Sequence, residues 1–164
     1  MLPLSPDALN EVVAQVGFAL WQIQILERTV GAYLVFVHQA TPALARSEVE
    51  KMFAKTGKST LGQLLRAIQA THNPPQNLVE QLDLFVPRRN WLVHHSRHES
   101  HFDMYSDARR SALTARIAGI ADEALDLMKA FDAATEKHLT TLGISKEKIE
   151  RDAARLLKQW TSTA

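Results

Sequence analysis

Apolar residues recur along this chain at steps of three and four, punctuated by short clusters of glycine and proline, and nowhere in the alternation of two that marks a half-buried strand. The pattern predicts an all-α protein. Ser5 is placed as the first N-cap, with Pro6 in the first turn and Asp7 near the positive end of the helix dipole. From there Leu9, Val12, Val13, Val16, Leu20, Ile23, Leu26, Val30, Tyr33, Leu34 and Val37 form one stripe, which should stop near Ala40, before Thr41-Pro42. Some ~35 residues at 1.5 Å each make a rod about 50 Å long, and such a rod needs a second long helix to lie against.

A short helix over 42–54 should follow, then the turn Lys55-Thr56-Gly57-Lys58. Thr60 with Gln63 three residues on is a capping-box pattern opening a helix over 61–70. Asn73-Pro74-Pro75 breaks the chain, and Asn77 with Glu80 repeats the cap signature ahead of Leu78, Leu82, Phe85 and Val86. Pro87 must kink or restart that helix, because its ring removes a backbone donor and crowds the preceding turn. The helix should resume through Trp91, Leu92 and Val93 and fray over 96–101. Ser106 and Asp107 open the second long helix, whose stripe is Leu113, Ile117, Ile120, Ala124, Leu127, Met128 and Phe131. Gly143 supplies a left-handed stop, and Ser145 caps a last, more charged helix running through Trp160.

These elements imply one helical domain over 1–164. Its core is a bundle over 5–142, with two long antiparallel helices flanking shorter ones, and 143–164 is a loosely docked C-terminal helix. Trp21 and Phe36 fall off the main stripe of the first helix, and Tyr33 adds a further large aromatic ring beside them. Together they exceed what one bundle seam covers, which predicts a twofold homodimer.

Composition narrows the class. With 164 residues, 46% hydrophobic and 23% charged, the chain is an ordinary globular domain, and its lack of cysteine removes disulfides, thiolate zinc sites and a thiol nucleophile. Residues 1–7 lack the basic start and apolar centre of a signal peptide, and the uncharged run 12–26 carries Gln15, Gln22 and Gln24. A cytoplasmic protein that does not span a membrane is expected. The net charge is +1, with the basic excess in the middle third. Any anionic partner must therefore be held by a few placed groups and not by a general field.

Several candidate signals have plain structural readings. Gly57-Lys58-Ser59-Thr60 looks like the end of a phosphate-binding loop, but Met52 stands where the earlier glycine belongs and no strand precedes it. The stretch reads as a helix-connecting turn with an N-cap. Asp122, Glu123 and Asp126 alternate with Lys129 as on a solvated face, and His38, His72 and His138 stand alone.

The chemically dense stretch is Arg88-Arg89-Asn90-Trp91-Leu92-Val93-His94-His95-Ser96-Arg97-His98-Glu99-Ser100-His101. On a helix Asn90 and His94 share a face, and Arg89 can swing towards it, while Arg88 and His95 line up on a neighbouring face. Arginine grips phosphate oxygens bidentately, and histidine, with a pKa of ~6.5, both takes and gives protons near neutrality. RNA carries its own nucleophile, the 2′-hydroxyl, so its cleavage needs a base, an acid and a stabiliser of transition-state charge. The spacing of His94, His98 and His101, with Glu99 nearby, also suits zinc.

Arg89-Asn90-Trp91-Leu92-Val93-His94 resembles the Arg-x4–6-His motif of the HEPN superfamily (higher eukaryotes and prokaryotes nucleotide-binding), and the helical outline over roughly 5–140 is similar. The resemblance implies a metal-independent endoribonuclease without a cofactor, often a toxin or phage-defence effector with a cognate antitoxin or partner protein. It acts as a dimer that brings two motifs into one cleft. Carried over, Arg89 would bind the scissile phosphate, Asn90 would orient it, and His94 would transfer protons. Arg88, His95 and Arg97 would bind the RNA more weakly. Arg88 and His95 also offer a second register, and the tyrosine some members carry two residues after the histidine is Ser96 here. Members that are inactive serve as binding or dimerisation modules, which is the alternative for this chain.

Overall fold

In the computed structural model, which describes residues 5–41 and 43–161, the chain is an all-α bundle with no strand among the described residues. Helix α1 (Pro6–Tyr33) starts as its sequence dictates: Ser5 is extended, and its Oγ accepts from the Ala8 amide at 3.1 Å. The helix continues as a π turn over Leu34–Gln39, closed by Ala40 N–H donating to the Val35 carbonyl at 2.7 Å. Helix α2 (Arg46–Thr56) begins later than the expected 42–54, since Leu44 N–H donates to the Thr41 carbonyl at 3.0 Å and Ala45 is extended ahead of the helix. The expected start at Pro42 lies outside the described residues.

Helix α3 (Leu61–Gln69) carries both halves of the capping box: Gln63 N–H donates to Thr60 Oγ1, and Thr60 N–H to Gln63 Oε1 at 2.8 Å. Helix α4 (Gln76–Asn90) is instead preceded by Pro75, with no side-chain cap. Asn77 already lies inside the helix, its Oδ1 accepting from Gln81 Nε2 at 2.8 Å. Pro87 neither stops nor restarts α4. The helix runs past it and widens into a π turn at Trp91–His95.

The expected fraying over 96–101 does not occur. Helix α5 (Ser96–Glu99), a buried Ser100 and a 3-10 turn (Asp103–Tyr105) lead to α6 (Asp107–Thr141). Helix α6 ends before Gly143, whose φ of 76° is the left-handed conformation that suits glycine. Helix α7 (Lys146–Thr161) exposes nearly all its described side chains and is tied to α6 by Lys146–Glu136 at 3.5 Å. The side chain of Trp160 lies outside the described residues.

The most extensive packing joins α1 and α6. Val12, Ala19, Ile23, Leu26, Val30 and Tyr33 meet Leu113, Ile117, Ile120, Ala124, Leu127 and Phe131 in one buried cluster. Near the start of both helices, Leu9, Val12, Val13 and Val16 border the same groove as Leu113 and Ile117; further on, Tyr33 meets Phe131 edge-to-face at 5.2 Å. Residue numbers therefore rise together along the pair. The two long helices are parallel, not antiparallel as the outline suggests, because α4 makes the return traverse and delivers the chain back to the end where α1 begins. Tyr33 and Phe36 are also covered within the chain, the latter by Phe53 at 5.2 Å, whereas Trp21 stays 69% exposed.

Candidate functional site

Arg88 and Arg89 leave the last turn of α4 about 100° apart and reach different neighbours. Arg88 pairs with Glu123 of α6 at 2.5 Å, so Glu123 faces α4 and is not part of the solvated Asp126–Lys129 face. Arg89 pairs with Glu27 of α1 at 3.0 Å and donates to Asn90 Oδ1 at 3.3 Å. The two pairs differ in setting. The Arg88 side chain is 59% exposed, but Arg89 and Glu27 are only 15% and 20% exposed. The Arg89 Nε is buried with no hydrogen-bond partner among the described residues.

Beyond Asn90 the π turn buries Trp91 and Leu92 and leaves Val93, His94 and His95 exposed. Its closing bond runs from Ser96 N–H to the Trp91 carbonyl, one residue further than an α turn reaches. In an α-helix His95, five residues on, would stand about 140° round from Asn90; the wider π turn reduces that angle. Trp91 anchors the segment, its Nε1 donating to Glu99 at 2.7 Å and its ring lying 3.3 Å beneath the Arg116 guanidinium. The rings of His94 and His95 are 6.3 Å apart, and neither imidazole has a hydrogen bond or ion pair among the described residues.

Further along, Arg97 and His101 border an apolar groove of about 430 Å³ floored by Val12, Val16, Met104, Leu113 and Ile117. The zinc alternative is not assembled: among the described residues no three metal-binding side chains converge. Glu99 is held by Trp91, and His101 has its Nδ1 2.8 Å from the His98 carbonyl and its ring against Phe102. His38 is not isolated either. Its Nε2 lies 3.3 Å from the Tyr33 hydroxyl, and burial, aided by repulsion from His138, holds its pKa below the ordinary imidazole value.

On the other side of Glu27 a polar pocket of about 240 Å³ opens between α1 and the α2–α3 turn. Gln24, Glu27, Arg28 and Gly31 line one wall, and Phe53, Thr56, Gly57 and Ser59 the other. The Gly57-Lys58-Ser59-Thr60 turn thus connects two helices, as its plain reading has it, yet two of its residues border a cavity. Gly31 is what lets α2 come close, since a Cβ there would meet Thr56 Cβ at 3.2 Å.

Of the residues singled out by sequence, Arg89, Asn90, His94 and His95 lie together on the α4–π junction, Arg88 is drawn aside to α6, and Arg97 stands over the apolar groove. Glu27 escaped sequence reasoning. Its one signal is that Glu27-Arg28 interrupts an otherwise uncharged stretch of α1. Comparison with known protein families, curated proteins and solved structures finds no match for this chain. No helix among the described residues is long and apolar enough to cross a membrane.

Proposed function

We propose that this chain is a metal-independent endoribonuclease of HEPN type that works as a homodimer. The observation that carries the reading is the junction of α4 with its π turn, where a guanidinium oriented by a carboxylate stands one turn from two solvent-facing imidazoles. In this reading Arg89 stabilises charge on the scissile phosphate, Asn90 orients it, and His94 transfers protons as the 2′-hydroxyl attacks phosphorus and the 5′-oxygen leaves. Glu27 fixes the guanidinium in advance, which lowers the cost of ordering it around substrate. Arg88, His95 and Arg97 add weaker contacts to neighbouring phosphates. Exposed Leu9, Val13 and Tyr105 beside the apolar groove support pairing with a second copy.

A second reading, a non-catalytic module that dimerises or binds a nucleotide phosphate, is favoured by the hold of Glu27 on Arg89. The two separate in an RNA-cleavage assay run in chelator. Under the ribonuclease reading wild type cuts RNA and His94→Ala loses ~10²–10⁴ in rate with its fold intact. Wild type that binds RNA without cutting it establishes the second reading instead.

A further inference from the structure

The polar pocket beside Glu27 has no part in the chemistry assigned to Arg89 and His94, although it shares a wall with that site. Along α1, Trp21, Gln24 and Arg28 are spaced i, i+3 and i+7, so they share one face. All three are exposed, Trp21 at 69%. Gln24 and Arg28 form the rim of the pocket, and Arg28 makes no ion pair among the described residues. The carboxylate that could repel an anion there, Glu27, is already paired with Arg89. Across the pocket stand Gly57 and Ser59, whose hydroxyl donates to the Lys55 carbonyl at 3.3 Å and keeps its acceptor capacity, with exposed Lys55 and Lys58 on either side of them in the chain.

A solvent-facing indole, an amide and a free guanidinium in a row, next to a polar cavity, match what unpaired nucleic acid requires. Bases stack on an aromatic face whatever their sequence, arginine takes the intervening phosphate, and amides and hydroxyls meet the base edge. A duplex, whose bases are already stacked on one another, has no use for Trp21.

We propose that Trp21, Gln24 and Arg28, with the pocket that Gln24 and Arg28 border, form a subsite for an unpaired RNA nucleotide flanking the phosphate held at Arg89. The subsite rests on the ribonuclease reading and makes its substrate single-stranded. Trp21 stacks the base, Arg28 binds the adjoining phosphate, and Gln24 with Ser59 meets the base edge in the pocket.

The test is fluorescence anisotropy with a labelled single-stranded RNA of mixed sequence and its duplex, in a His94→Ala background that keeps the RNA whole, beside cleavage by the otherwise wild-type chain. Trp21→Ala should weaken single-strand binding by roughly five- to a hundredfold, Trp21→Phe should restore most of it, and duplex binding should hardly change. Arg28→Ala should reduce the slope of log Kd against log salt by about 0.7. Leu84→Ala, at another exposed apolar position, should match the parent. If the parent binds RNA and wild type cuts it while Trp21→Ala and Arg28→Ala leave Kd and kcat/KM unchanged, the subsite falls and the ribonuclease reading stands. If Trp21→Ala spares RNA binding but turns a dimer into a monomer in sedimentation, Trp21 belongs to the contact between copies and the subsite falls again. If the parent binds no RNA at about 100 μM, the ribonuclease reading fails and takes the subsite with it.

Discussion

Replacing Glu27 with alanine tests how Arg89 is held. Exposed ion pairs contribute ~0.2–1 kcal/mol, whereas removing one partner of a buried pair costs about 3–5 kcal/mol, because the other charge is left without compensation. With side chains 15% and 20% exposed, the Arg89–Glu27 pair lies nearer the buried limit without reaching it. The loss also leaves the guanidinium with Asn90 Oδ1 as its remaining partner at 3.3 Å, its Nε having none among the described residues. A loss of about 2 kcal/mol follows. For a chain of this size that corresponds to a fall in Tm of about 4–8 °C. Glu123→Ala, which breaks a pair whose arginine is 59% exposed, should cost about 1 kcal/mol or less. Thermal melts of both variants, of Arg89→Ala, and of Glu27→Ala combined with Arg89→Ala complete the measurement. The cycle should give a coupling of about 1–2 kcal/mol between Glu27 and Arg89. A Glu27→Ala protein that melts within a degree of wild type, or a coupling near zero, refutes the ordering of Arg89 by Glu27.

Changes at the motif should rank in a set order for RNA cleavage: His94→Ala silences it, Arg89→Lys is severe because an ammonium lacks the planar fork, and His95→Ala, outside the Arg89-to-His94 motif on which the reading rests, is milder. A reversed order of the two histidines moves the site to Arg88 and His95. Since burial and His138 hold the His38 pKa below the usual 6.5, the unfolded chain takes up this proton before the folded one. The contribution is complete above about pH 6.5 and is lost as the pH falls towards the folded value. Urea melts from pH 7.5 to 5.5 should therefore show a smaller acid loss for His38→Gln than for wild type, and identical slopes would count against the lowered pKa of the partly buried His38. Gly31→Val should cost about 1–3 kcal/mol by forcing α1 away from Thr56. Gly31→Ala should stay near neutral, its gain in helix propensity offsetting the tight contact; a urea titration of the pair reads this out. Sedimentation at ~10–100 μM should show a dimer, and a monomer there removes the composite cleft.

What could be read from the sequence is what neighbouring residues decide among themselves. The Ser5 cap, the Thr60–Gln63 box and the stripe from Leu113 to Phe131 depend on spacings of three or four and appear as expected. The cap expected at Asn77 fails because Pro75 starts the helix earlier. Two π turns went unseen, since one extra residue in a turn leaves no local pattern. The direction of α6 was also hidden, because an apolar stripe says which face is buried but not which way its partner runs. Glu27 met Arg89 across 62 positions, a pairing that α4 creates by running back along α6, which itself packs on α1. The cluster from Arg88 to His95 was legible as a group, but the division of Arg88 to Glu123 and Arg89 to Glu27 was not.

The parallel pairing of α1 with α6 has a consequence for how each molecule comes into being. Tyr33 and Phe131, which touch in the finished bundle, are separated by about a hundred residues, and closing so long a loop must precede the reward of burying its ends. A chain growing from the ribosome at about 5–20 residues per second leaves Ile23, Leu26 and Val30 without their covering helix for roughly 5–20 seconds. During that time α2, α3 and α4 are made, and they offer α1 only partial shelter. The α1 stripe stays uncovered until α6 is synthesised, so truncation within α6 should yield an aggregating fragment and not a smaller working domain.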